Sequence, residues 1–204
     1  MQTLTEKEAE DFLEKEGFNV IKRSHVKTKT ELKKLEKKLK YPWVMKISSK
    51  HIVHKAKIGG TILNINSLEE AENALAKLCL IEKCEGALVQ EMAVGEELII
   101  GIKKTPEFSQ VIMLGKGGSN VEKEKDISFR IPPIKSKDAE EMINELQYSK
   151  ILAEKNVNRK LIIQNLLKIS ELAQKYTNIE EMDINPLIVN KNEAIVVDAR
   201  IVFD

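Results

Sequence analysis

Tyr41-Pro42-Trp43-Val44-Met45-Lys46-Ile47-Ser48-Ser49-Lys50-His51-Ile52-Val53-His54-Lys55-Ala56-Lys57-Ile58-Gly59-Gly60 is the stretch around which the chain is organised. A short apolar run ends in Lys46, a loop rich in His, Lys and Ser follows, and the Gly59-Gly60 pair leads into an alternating segment at residues 61–65. The pattern reads as strand, basic loop, strand. Such a loop offers what a nucleoside triphosphate needs: lysines for its charge, glycines that let backbone approach closely, and a histidine able to act as a nucleophile. Each element also has a plainer reading, since a lysine at a strand end can snorkel to water and a histidine can simply sit in a loop.

Upstream of this stretch, Thr5 with Glu8 and Thr28 with Glu31 are capping boxes. They predict one helix with Ala9, Phe12 and Leu13 inward, ended by Gly17, and another with Leu32, Leu35 and Leu39 on one side. Between them residues 18–26 alternate loosely as a strand, and Tyr41-Pro42 closes the second helix because the residue before proline avoids the helical region. Downstream, Ser67 caps a third helix with Ala71, Ala74, Leu75 and Leu78 inward. Strands are predicted at residues 86–92, 97–102, 111–114 and 127–131, helices at 136–147 and 159–176, and a closing hairpin at 182–189 and 194–202. Strands and helices mixed without strict alternation give an α+β class.

The hairpin carries a second site expectation. If Val189 and Ala194 flank its four-residue turn as a facing pair, Leu187 faces Val196, Asn185 faces Asp198 and Asp183 faces Arg200. Facing residues have β-carbons roughly 4.5–5.5 Å apart, so the Asn185 amide oxygen and the Asp198 carboxylate converge. Two hard oxygen ligands with room for water and phosphate oxygens suit Mg²⁺; the plainer alternative is the polar face of an amphipathic hairpin. Ile184, Pro186, Ile188, Ile195, Val197, Ala199 and Ile201 would form the opposite, core face.

Composition narrows the class. The chain has 204 residues, 42% apolar and 32% charged, with a net charge of +1. Interspersed charge of both signs advertises neither nucleic acid nor an anionic membrane as partner. No secretory layout and no run of ~18 apolar residues is present, so a cytoplasmic protein is expected. Cys79 and Cys84 lack the companions of a metal site and read as reduced packing thiols.

Taken in order, Lys46-Ile47 with Ser49, Ile52, His54-Lys55 and Gly59-Gly60 resembles one family. So do Val89-Gln90-Glu91-Met92, Gly95 with Glu97 and Gly101, Met113 with Gly115 and Gly117-Gly118, and Asp126 with Ser128-Phe129-Arg130. Asp183-Ile184-Asn185-Pro186 and Asp198-Ala199-Arg200-Ile201 complete the set. The chain is similar to the β subunit of ADP-forming acetate-CoA ligase, an ATP-grasp protein related to the nucleotide-binding part of the succinyl-CoA synthetase β subunit. The resemblance implies an ATP-grasp fold whose two lobes hold ATP or ADP between them, residues 1–19 and 89–204 forming the larger lobe and 20–88 the smaller. It implies that Lys46 contacts the nucleotide phosphates, that the loop around His54 and Lys55 covers them, that Glu91 and Glu97 hold the adenosine end, that Arg130 also binds the nucleotide, and that Asn185 and Asp198 bind magnesium. It further implies a phosphoryl relay through a histidine, at the position of His54, and a CoA-binding α subunit as partner in an α2β2 heterotetramer.

Three departures stand out. Ala56-Lys57 replaces the family's usual Ser-Asp after His-Lys. Thr105-Pro106-Glu107-Phe108-Ser109 replaces Asp-Pro-x-Phe-Gly, and residues 153–157 replace a Gly and Arg-Gly loop. Two other functions share much of the pattern: a nucleotide-binding regulatory subunit without phosphoryl transfer, and an ATP-grasp ligase acting alone on a carboxylic acid.

Overall fold

The structure, a computed structural model, describes residues 1–49, 52, 55, 58–118 and 126–204. The chain divides into two compact units, Met1–Val20 with Val94–Asp204, and Ile21–Ala93. The sequence placed the return to the larger unit at residue 89. Residues 89–91 stay in the smaller unit because they complete β5, which lies between two neighbours in that unit's sheet.

The smaller unit is a four-stranded sheet in the order β2 (Arg23–Val26), β5 (Ala87–Glu91), β3 (Trp43–Ile47), β4 (Thr61–Ile65), all antiparallel. The helices α2 (Lys29–Leu35) and α3 (Leu68–Cys79) pack on it. Thr28 and Ser67 accept the N–H groups of Glu31 and Glu70 that a helix start leaves unpaired. Leu32, Leu35 and Leu39 join Ala71, Ala74, Leu75 and Leu78 against Trp43, Met45, Ile47, Ala87 and Val89. Strand periodicity then turns Val44, Lys46, Leu88 and Gln90 to the other face.

The larger unit is built on a seven-stranded antiparallel sheet. Its strands run β1 (Gln2–Thr3), β11 (Ala199–Phe203), β9 (Ile179–Val189), β6 (Glu96–Lys103), β7 (Val111–Lys116), β8 (Ile127–Arg130), and β10 (Ala194–Val196) also pairs with β9. One face carries Leu98, Ile100, Ile102, Ile112 and Leu114 into a core with α1 (Glu6–Lys15), α4 (Ser136–Glu145), α5 (Ser149–Glu154) and α6 (Arg159–Lys175). Each such Leu or Ile contributes about 1.5–3 kcal/mol by burial, so this apolar face decides which way the strands turn. The Thr5 capping box closes in both directions, Glu8 N–H to the Thr5 hydroxyl and Thr5 N–H to the Glu8 carboxylate.

The segment read as one strand at residues 18–26 is split. Val20 makes a parallel bridge to Val196 in the larger unit, and β2 begins only at Arg23 in the smaller. The terminal strand is likewise split into β10 and β11 around residues 197–198, and the short helix α5 was not foreseen. No described helix is long and apolar enough to cross a membrane.

Candidate functional site

The hairpin register is the one expected from the turn. Val189 faces Ala194, Leu187 faces Val196, Ile184 faces Ala199 and Asp183 faces Arg200. Asn185 donates its N–H to the Asp198 carbonyl at 3.1 Å, and Val197 donates to Pro186 at 3.3 Å. The facing of the strands, however, changes at this point. On β6, Leu98 faces Leu187 while Ile100 faces Ile184, so β9 carries one extra residue opposite Ile99. Such a bulge breaks the alternation. Beyond it Leu187, Val189, Ala194 and Val196 point into the core, whereas Ile188 and Ile195, expected there, do not belong to it. The bulge thus sets Asn185 and Asp198 at a local kink rather than in a continuous polar stripe.

Three further groups meet there. The Gly118 N–H donates to Asn185 Oδ1 at 2.9 Å, and Gly117 donates to the Glu97 carbonyl at 2.8 Å. Gly118 has φ +96, and a β-carbon on it would lie 2.5 Å from Glu97 Oε2. The glycine pair is therefore required by close approach and left-handed backbone, not by flexibility alone. Glu97, Gly117, Gly118, Asn185 and Asp198 form one cluster in the larger unit.

Whether magnesium fits can be judged from the donors. Among the described residues no group of three or more His, Cys, Asp and Glu could hold a metal ion. Magnesium asks for less, one or two carboxylates with water and phosphate oxygens making up the rest. Asn185 Oδ1 accepts a bond from Gly118, and an amide oxygen has a second lone pair; Asp198 lies opposite Asn185 across the hairpin, so the donor types fit a hard cation.

On the same open side of the sheet, Asp183 and Glu181 lie with Lys103 and Arg200. Arg200 Nη1 reaches Glu181 at 2.9 Å, and Lys103 also bonds Glu181. Burial first, then the hydrogen bond it makes to Glu181, pushes the Asp183 carboxyl up to about 7. Glu181 is lowered: burial opposes this, but Lys103, Asp183 and Arg200 outweigh it. Asp183 is the acid that keeps the proton, while Lys103 and Arg200 favour the ionised form of both carboxyls.

In the smaller unit Lys46 is only 6% exposed and stands in a cross-strand row with His25, Leu88 and Thr61. Arg23 and Gln90 occupy the next row. The sequence reading left Arg23 and His25 aside. Their alternation with Ser24 and Val26 is the signal that would have found them. The segment after Lys46 is clasped at its base: Ile47 N–H bonds Gly60 at 2.7 Å, and Gly60 N–H returns to Lys55 at 2.8 Å. A β-carbon at Gly60 would sit 2.7 Å from Ile47 Cγ2 and 2.9 Å from the Lys55 carbonyl, which explains the glycine there. Lys55 thus lies at the closing turn of this loop, while His54 and His51 fall outside the described residues.

Two expected site residues have partners within their own units. Glu91 faces Trp43, on the helix side of its sheet and away from Lys46, and its Oε1 accepts the Lys40 N–H at 2.9 Å. Arg130 faces core-directed Ile112 and pairs with Glu145 of α4, accompanied by Ser128. Strand parity turns Arg130 to the helix face, opposite Glu97. Its partner Glu145 is held below the ordinary carboxyl range, by the Arg130 bond first and the Ser128 bond second. A depressed carboxyl pKa stabilises the fold above the unfolded value and ceases to do so as pH falls through the folded one. Arg130→Ala should accordingly cost about 1 kcal/mol at pH 7, a cost that shrinks below about pH 4.5, with nucleotide affinity unchanged. Urea titrations at pH 7 and 4 and calorimetric nucleotide titration check this; a tenfold affinity loss would show that Arg130 serves the nucleotide.

A family model described as the ATP-grasp domain matches residues 1–203. The chain belongs to the ATP-grasp family. This ATP-grasp chain is 39% identical over 215 residues to subunit β of acetate-CoA ligase (ADP-forming) II from Pyrococcus furiosus, covering 98% of this chain and 91% of that one. Subunit β of ligase I from the same organism is 36% identical, with the same coverage. Acetate-CoA ligase (ADP-forming) II of Archaeoglobus fulgidus is 38% identical over 98% of this chain, which spans only 30% of that longer relative. Among solved structures, an acetyl-coenzyme A synthetase 1 of Candidatus Korarchaeum cryptofilum, in complex with coenzyme A and Ca-AMPCP, superposes with a TM-score of 0.93 at 34% identity, covering 100% and 94% of the two chains. Another structure of that protein holds coenzyme A and Mg-AMPPCP, its phosphohistidine segment pointing towards the nucleotide binding site; the TM-score is 0.85 at 34% identity, covering 99% and 93%. The resemblance carried by the sequence motifs is the one these relatives bear.

Proposed function

We propose that this ATP-grasp chain is the nucleotide-handling β subunit of an ADP-forming acyl-CoA ligase, moving a phosphoryl group between a histidine and ADP or ATP. The observation that carries the reading is the Asn185–Asp198 pair beside Gly117, Gly118 and Glu97 in a chain 36–39% identical to named β subunits. Asn185 and Asp198 would hold magnesium, and Glu97 would accept from the ribose hydroxyls. Lys46 and Lys55 would pair with phosphate oxygens. Magnesium, when bound, neutralises the charge that spreads over those oxygens.

His54 would attack the terminal phosphorus, forming the N–P bond as the bond to ADP breaks, and would return the group in the reverse direction. Neutral imidazole is nucleophilic at neutral pH and its phosphoramidate stays reactive in both directions. The acyl-CoA half of the reaction would belong to a CoA-binding α subunit, in an α2β2 assembly. The pure chain should then bind magnesium–ADP, with no acyl-CoA formed from acetate, CoA and ATP. Calorimetric titration with ADP, with and without magnesium, and a coupled CoA assay test this. Absent nucleotide binding would overturn the reading, and acyl-CoA turnover by the single chain would remove the partner.

A further inference from the structure

The end of α3 carries chemistry that the nucleotide site does not use. Leu78 is the last buried residue of that helix, and Cys79 after it is exposed, so this thiol does not pack in the core as expected. Residues 80–83 then turn tightly, with Ile81 N–H bonded to Leu78 at 3.1 Å and Cys84 N–H bonded to Ile81 at 3.2 Å. Lys83 takes a left-handed φ of 64. This reversal folds Cys84 back on the helix end and places its sulfur 3.9 Å from that of Cys79. Cys84 is half-buried against the smaller unit's core. Its S–H also lies 3.3 Å from the Gly86 carbonyl, and one proton can serve only one of the two acceptors at a time.

The turn is joined to the basic loop. Ser48, where that loop leaves β3, donates its N–H to Gly86 at 2.9 Å and accepts from Glu85 N–H at 2.8 Å. The Cys84–Gly86 segment is thus held between the end of α3 and the base of the segment that carries Lys55 and His54.

We propose that Cys79 and Cys84 are a reversible dithiol–disulfide site for low-molecular-weight disulfides, with Cys79 attacking first and Cys84 resolving. The Cys79 thiolate, having lost its proton to solvent, attacks one sulfur of the oxidant; a mixed disulfide forms and one small thiol leaves. Cys84, deprotonated in turn, attacks the Cys79 sulfur of that mixed disulfide and expels the second small thiol. The two cysteine sulfurs are oxidised by two electrons, and the small disulfide is reduced by the same two to two thiols. Accessibility sets the order, because exposed Cys79 meets the oxidant while Cys84 waits within 3.9 Å. Partial screening of the sulfur first, and neighbouring Cys84 second, raise the Cys79 thiol above its ordinary range, so the reaction should quicken as pH rises. The product ties the helix end to the turn that clasps Ser48.

Intact mass spectrometry of the full chain after treatment with oxidised glutathione tests this without reference to nucleotide binding. The expected result is a loss of two hydrogens, disappearance of both thiols of the denatured chain, and reversal by dithiothreitol. Cys84→Ser should instead keep one glutathione on Cys79. Stable glutathione on both cysteines of the wild type, disulfide-linked dimers, or a wild-type mass that does not change would overturn the proposal. So would glutathione accumulating on Cys84 in Cys79→Ser as fast as on Cys79 in Cys84→Ser.

Discussion

Replacing His54 with asparagine is expected to abolish the acid-labile, base-stable label that γ-labelled ATP and magnesium leave on the wild-type chain. Asparagine keeps the approximate size and polarity of the side chain but has no nucleophilic lone pair at neutral pH. Phosphoryl transfer should therefore fall by a factor of roughly 10³ or more, while nucleotide affinity stays within about twofold. The reasoning is local. Lys55 follows directly in sequence, and its carbonyl accepts the Gly60 N–H, a backbone bond that does not depend on the side chain at position 54. Ala56-Lys57, in place of the family's usual Ser-Asp, adds a further positive charge in sequence near the transferred group. His51→Asn is the control and should label as the wild type does. Labelling that survives in His54→Asn and vanishes in His51→Asn would transfer the role. A wild type that takes no label even with the α subunit present would leave the regulatory-subunit reading.

Asp198→Ala should weaken nucleotide binding at limiting magnesium about 100-fold, close to 2.7 kcal/mol, with little change in thermal stability. The hairpin bond itself survives the change, because the Asp198 backbone carbonyl, not its side chain, receives the Asn185 N–H. Only the carboxylate is lost. Asp198→Asn keeps one oxygen donor without the charge and should fall between the two. Excess magnesium should recover part of the loss, since the remaining water and phosphate ligands can still gather around a weakly held ion. Titrations of ADP at low and high magnesium measure both effects. Equal affinity of variant and wild type at low magnesium would show that the Asn185–Asp198 pair is only the polar corner of a hairpin.

Much of this structure was open to reading from contiguous residues. Thr5, Thr28 and Ser67 announce their helices because a cap is a bond between residues three apart, encoded wholly within four positions. The Asn190–Glu193 turn likewise sets the register of the whole terminal hairpin, since the pairing of two strands follows from the turn that joins them. Lys46 at the end of β3, with Gly59-Gly60 before β4, is legible in the same way. The family resemblance, carried by short motifs in order, needs no three-dimensional information either.

Which side of a sheet a residue occupies is another matter. The bulge at Asn185–Pro186 is forced by pairing with Leu98 and Ile100, some ninety positions earlier in the chain, and it reverses the facing of every residue from Leu187 to Val196. The sequence does not say which side of the sheet Arg130 and Glu91 occupy; strand parity against Ile112 and Trp43 places them on the helix sides, beside Glu145 and the Lys40 N–H. The convergence of Gly118 with Glu97 and Asn185 joins three separate strands or turns. The sequence by itself therefore determined the elements, the hairpin register and the family, because those rest on neighbouring residues. Only the tertiary structure decided which charged groups share a face, because burial across strands distant in sequence selects that face.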